Sequence, residues 1–154
     1  MGHTNKDKDK ARMTTFPKID AHFWVEREGK IIDFDFEEYK FCKKFWNCEE
    51  NAEPIYLSAP PLTQSIAIKV FDKVLMNTFK QPTIEKSVEE MYKLYKKVGL
   101  DKPSYGSCYM NAIIEIYENG GTLVFGSMGW RRRNGDIHYE FGGTNYLTWK
   151  DFTK

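Results

Sequence analysis

Ala21-His22-Phe23-Trp24-Val25-Glu26-Arg27-Glu28-Gly29-Lys30-Ile31-Ile32-Asp33-Phe34-Asp35-Phe36 alternates apolar and polar side chains on either side of Glu28-Gly29. Alternation with period two predicts strands with two unlike faces. Gly29 supplies the positive φ that a tight hairpin turn requires. Pairing Glu26 with Ile31 puts Phe23, Val25, Ile32, Phe34 and Phe36 on one apolar face. The same register puts His22, Asp33 and Asp35 on the other. Asp35 then lies directly opposite His22, and Asp33 lies diagonal to it. A histidine facing carboxylates across a hairpin suggests a base with its orienting acid. Such a pair calls for a nucleophile elsewhere in the chain.

Bulk properties narrow the field. A chain of 154 residues, 41% hydrophobic and 16% aromatic, suits one globular domain with a sizeable core. The 29% charged content and mean hydropathy of −0.61 favour a water-facing surface. No apolar run approaches the roughly 18 residues that a membrane span needs, and no apolar segment follows the N-terminal basic residues as in a secretory signal. The expectation is a cytoplasmic, reducing compartment with no membrane partner. A net charge of +1 does not mark a dedicated nucleic-acid binder. Cys42, Cys48 and Cys108 are odd in number and form no Cys-x-x-Cys. Cys42 and Cys48 have no nearby histidine, so reduced thiols are expected rather than disulfides or a zinc site. No metal or cofactor is expected, since Gly126-Ser127-Met128-Gly129 lacks the lysine and helix of a phosphate loop.

The segment from Met1 to about Thr15 alternates lysine and aspartate and reads as a disordered, solvated tail, leaving 16–154 as a single domain. Residues 36–47 place glutamates early and lysines late, as a helix does. Residues 48–61, with three prolines, read as a loop. Residues 62–79 predict a buried helix with two parallel stripes, Leu62-Ile66-Val70-Val74 and Ala67-Phe71-Leu75-Phe79; a strand at 66–71 is the alternative. Pro82-Thr83 opens a further helix that Gly99 stops. After Gly106-Ser107, apolar residues run at helical spacing until Asn119-Gly120-Gly121. Ser107 is a candidate N-cap, which places Cys108 in the first helical turn. The last third is β: 122–128, a hairpin turn at Asn134-Gly135, 137–141 and 145–149. The sum is an α+β domain, an antiparallel sheet with packed helices, in which the hairpin joins the C-terminal strands and the Cys108 helix packs on them.

Cys108 is the nucleophile candidate. The first turn of a helix offers a thiol the positive end of the dipole, which favours thiolate. Its free backbone N–H groups could hold an oxyanion, with Gly106 and Ser107 forming the approach loop. A small buried hydrophobe is the competing role for such a cysteine. His22 as base and Asp33 as orienter would complete the set that an activated thiol needs. Asp35 is the rival acid, His138 the rival base, and Asn111, one turn beyond Cys108, a further polar candidate. Arg131, Arg132 and Arg133, with Trp130 beside them at a hairpin tip, could contact an anion or a nucleic acid, or serve as a solvated edge that blocks aggregation.

These residues resemble a family. His22-Phe23-Trp24-Val25-Glu26 followed by Gly29-Lys30-Ile31-Ile32-Asp33 is similar to the His-x-Trp-Val … Gly-x-Val-Ile-Asp signature of papain-like and transglutaminase-like thiol enzymes. Gly106-Ser107-Cys108-Tyr109-Met110-Asn111-Ala112 resembles the Cys-x-x-Asn-Ala helix start of small members of that superfamily, several of them phage- or virus-encoded. His22 and Asp33 precede Cys108, as in the circularly permuted branch that includes the lecithin:retinol acyltransferase-like proteins; the Asn-Cys-Glu-His motif of that branch is absent here. The resemblance spans about 25 residues. It implies a permuted papain-like arrangement, Cys108 as nucleophile, His22 as base, Asp33 as orienter, and a hydrolase such as a cysteine protease or amidase. Its substrate would be a peptide, protein or other amide or ester, met in the cytoplasm, or in a virion or host cell if viral. A non-catalytic protein- or nucleic-acid-binding module on the same scaffold is the other expectation.

Overall fold

The computed structural model describes residues 21–33, 46–99 and 108–141. The hairpin forms in the expected register. β1 (His22–Arg27) and β2 (Lys30–Ile32) run antiparallel with Glu26 opposite Ile31. Glu28 and Gly29 both take positive φ, 54° and 74°, the backbone twist that joins two strands by two residues. Next come β3 (Ile55–Ser58), α1 (Pro61–Phe79), α2 (Ile84–Lys97), α3 (Cys108–Asn119), β4 (Thr122–Arg131) and β5 (Ile137–Phe141).

These elements make an α+β protein around one antiparallel sheet, in the order β2-β1-β4-β3 with β5 also paired to β4. β1 runs antiparallel to β4, His22 opposite Gly126 and Phe23 opposite Phe125, so the N-terminal hairpin does join the C-terminal strands. β4 and β5 meet through a turn at Asn134-Gly135, where Gly135 has φ 99°. Among the described residues no helix is long and apolar enough to cross a membrane.

Alternation decides what the sheet buries on each side. Phe23, Val25 and Phe125 pack against the helices with Phe71, Leu75, Met91, Tyr109 and Met110. The intervening residues of β1, His22 and Trp24, point to the opposite face and are buried there too. In α1 the stripe Ala67-Phe71-Leu75-Phe79 carries the burial, while Leu62 is 73% exposed. Helical spacing therefore located the element, and the sheet selected which of its two apolar stripes to cover. Thr83 caps α2 by accepting from the Lys86 N–H, and Gly99 follows its end at φ 73°.

One expectation is corrected. Residues 48–61 are not a loop throughout, because β3 pairs with β4, Tyr56 opposite Met128 and Ser58 opposite Gly126. Pro54 and Pro60 flank this four-residue strand, so neither removes a donor from the ladder. Most of the helix expected at 36–47, the tail and the strand expected at 145–149 lie outside the described residues.

Candidate active site

α3 begins with Cys108 and packs on β1. It is held near both ends. The Tyr109 hydroxyl donates to Asp72 Oδ1 on α1 at 2.5 Å, and the Tyr109 ring packs edge-on against Phe23 at 5.3 Å. Burial and the Asp72 charge both push the Tyr109 ionisation upward, so the hydroxyl keeps the proton it donates. Burial likewise raises Asp72, against the Tyr109 hydrogen bond that stabilises its charge. Further along, Arg27 Nη1 of β1 donates to Glu115 Oε1 at 2.8 Å, and Asn119 donates to the same oxygen. These ties fix the first turn of α3 beside the N-terminal half of β1. Cys108 itself is half-buried and is not in a disulfide.

His22 is fully buried. Its Nε2 donates to Asp33 Oδ2 at 2.7 Å, and the Asp33 side chain is 2% exposed. The diagonal carboxylate of the hairpin therefore takes the ring; Asp35 lies outside the described residues. Burial alone would pull the imidazolium down. Its hydrogen bonds with Asp33 and Cys108, with the charges of both side chains, outweigh it and push His22 up to about 10. The histidine thus senses the thiol and the carboxylate together. With Nε2 given to Asp33, proton exchange with the thiol falls to Nδ1. Trp24 stacks near the ring at 6.1 Å with an interplanar angle of 29°.

Asp33 has a second donor that the residue pattern did not reveal. The Tyr56 hydroxyl of β3 bonds the same Oδ2 at 2.8 Å, and the Tyr56 ring packs on Trp24 at 5.0 Å. The signal was there, in the alternation Ile55-Tyr56-Leu57 between prolines, but it is too short to stand out from a loop. A small pocket of about 10 Å³, room for about one water molecule, borders the site and is lined by Trp24, Val25, Ile32, Asp33, Cys108 and Asn111. Asn111 is buried, one turn from Cys108. Gly106 and Ser107 lie outside the described residues.

The rival base is placed elsewhere. His138 pairs with Trp130, four residues along β4 from the Gly126 that faces His22, or roughly 13 Å by strand rise. Its Nδ1 accepts from Arg132 Nη2 at 3.0 Å, and its ring stacks on Trp46 at 4.4 Å. Arg131 and Arg133 are exposed at the β4–β5 turn, with the Arg132 guanidinium 3.8 Å from Asp136. Trp130 is not the exposed aromatic of that tip. It is buried with Cys48 and Met128 on the face of the sheet away from the helices, and Trp46 is the one that remains 38% exposed. Among the described residues no group of three His, Cys, Asp or Glu side chains could hold a metal ion. Comparison of the chain with protein-family models, with curated proteins and with solved structures gives no match.

Proposed function

We propose that the protein is a cysteine-nucleophile hydrolase or acyltransferase acting on amide or ester bonds, with Cys108 as nucleophile, His22 as acid and base, and Asp33 as the group that orients His22. One observation carries the reading: a half-buried thiol at a helix start and a buried carboxylate act on the same fully buried histidine. A cysteine at a helix start beside a histidine held by a carboxylate is the combination that thiol nucleophiles use. The likeness of the His22–Asp33 and Gly106–Ala112 segments to permuted papain-like enzymes supports the same assignment.

The chemistry runs in two steps. The Cys108 thiolate attacks the substrate carbonyl carbon, a C–S bond forms, and the carbonyl π electrons move to oxygen. The positive end of the α3 dipole, at the start of the helix, is suited to stabilise that oxyanion. As the tetrahedral species collapses, the C–N or C–O bond breaks and His22 gives its proton to the leaving amine or alkoxide. Water then attacks the thioester while His22 takes the water's proton. The C–S bond breaks, which restores thiolate and imidazolium and releases the acid. An amine or alcohol in place of water gives transfer instead.

An electrophilic acyl probe tests the proposal. Mass spectrometry should find one adduct, on Cys108, absent from Cys108→Ala. Labelling of Cys108 no faster than that of free cysteine overturns it, and the binding-module reading then takes its place.

A further inference from the structure

Tyr56 comes from the far edge of the sheet, two strands away from β1, yet ends on the carboxylate that holds His22. Asp33 follows a three-residue edge strand, and its nearly inaccessible carboxylate must draw its donors from protein groups. Oδ2 receives two, His22 Nε2 at 2.7 Å and the Tyr56 hydroxyl at 2.8 Å. The tyrosine reaches the hairpin from outside it, placed by pairing with Met128 of β4, and its ring packs against Trp24 of β1. We propose that Tyr56 is a positioning residue of this site, its hydroxyl anchoring the Asp33 carboxylate against Nε2 of His22. The catalytic consequence rests on the hydrolase reading; the positional one does not.

Sharing one oxygen between two donors has an electrostatic effect. The hydroxyl fixes the carboxylate, and it also draws off part of the negative charge that stabilises the imidazolium. Tyr56 therefore moderates how tightly His22 holds its proton, which matters for a group that must release that proton to a leaving amine.

Tyr56→Phe keeps the ring on Trp24 and removes only the hydroxyl. Its effect is read from the ring ¹⁵N shifts of His22, titrated in a Cys108→Ala background so that thiol and imidazole do not titrate as a pair. The His22 midpoint should move upward by roughly half a unit to one unit relative to the Tyr56 parent. With Cys108 restored, the His22-linked inflection in the pH profile of Cys108 alkylation should move the same way. A merely structural role would lower the urea midpoint and leave both inflections in place. An unmoved or lowered His22 midpoint overturns the inference, even if the enzyme is active. A raised midpoint in a protein that never forms an acyl-enzyme upholds it and sinks the hydrolase reading instead.

Discussion

His22 carries an elevated proton affinity inside the protein, and its sign has a measurable consequence. Its ordinary value is 6.5, and Asp33 and Cys108 push it to about 10 against burial. Between those two values the folded protein holds a proton that the unfolded chain has lost. The stability this contributes is therefore complete below about pH 6.5, declines as pH rises, and is gone above about 10. The stability difference between wild type and His22→Gln, from urea unfolding, should shrink steadily between about pH 7 and about pH 9.5. A flat difference across that range contradicts the assignment. At this scale much was legible in the sequence. Histidine, carboxylate and thiol were each identifiable from local pattern, because strand alternation and helix starts are short-range signals. The second donor on Asp33 was not, since Tyr56 is a partner brought in by another strand.

Strand pairing brings that partner in, and Gly126 is where it is tightest. It lies opposite His22 on β4 and opposite Ser58 on β3. A Cβ there would stand 2.1 Å from the Leu57 carbonyl oxygen and 2.8 Å from the Trp24 ring. Gly126→Ala must push β3 outward and tilt Trp24, the ring that touches both His22 and Tyr56. A loss of about 2–3 kcal/mol is expected from urea unfolding, with a changed near-ultraviolet tryptophan signal. Unaltered stability would mean that β3 is not held as closely as described. The long elements were readable because their periodicity extends over many residues: α1, α2, α3 and the two hairpins lie close to where alternation and helical spacing predict them. β3 was hidden by its length of four residues and by the prolines around it, cues that locally favour a loop. Its strand character comes from β4, which is some 70 residues away in the chain.

Across the whole molecule, the site is a junction of the three parts of the chain. The N-terminal hairpin gives His22 and Asp33, the segment before α1 gives Tyr56, and the third helix gives Cys108. The α+β class and the joining of the hairpin to the C-terminal strands followed from patterning, whereas the meeting of these side chains follows only from the packing of α3 through Tyr109 and Arg27–Glu115. The same assembly keeps His138 apart, against Arg132 and Trp46, so of the two described histidines it is His22 that lies with Cys108 and Asp33. The most direct test of that arrangement is the alkylation rate of Cys108 by iodoacetamide near about pH 6, followed by peptide mass spectrometry. Wild type, His22→Ala and His138→Ala are compared. The account predicts that wild type and His138→Ala react alike and His22→Ala at least about tenfold more slowly. Equal rates for wild type and His22→Ala would contradict it.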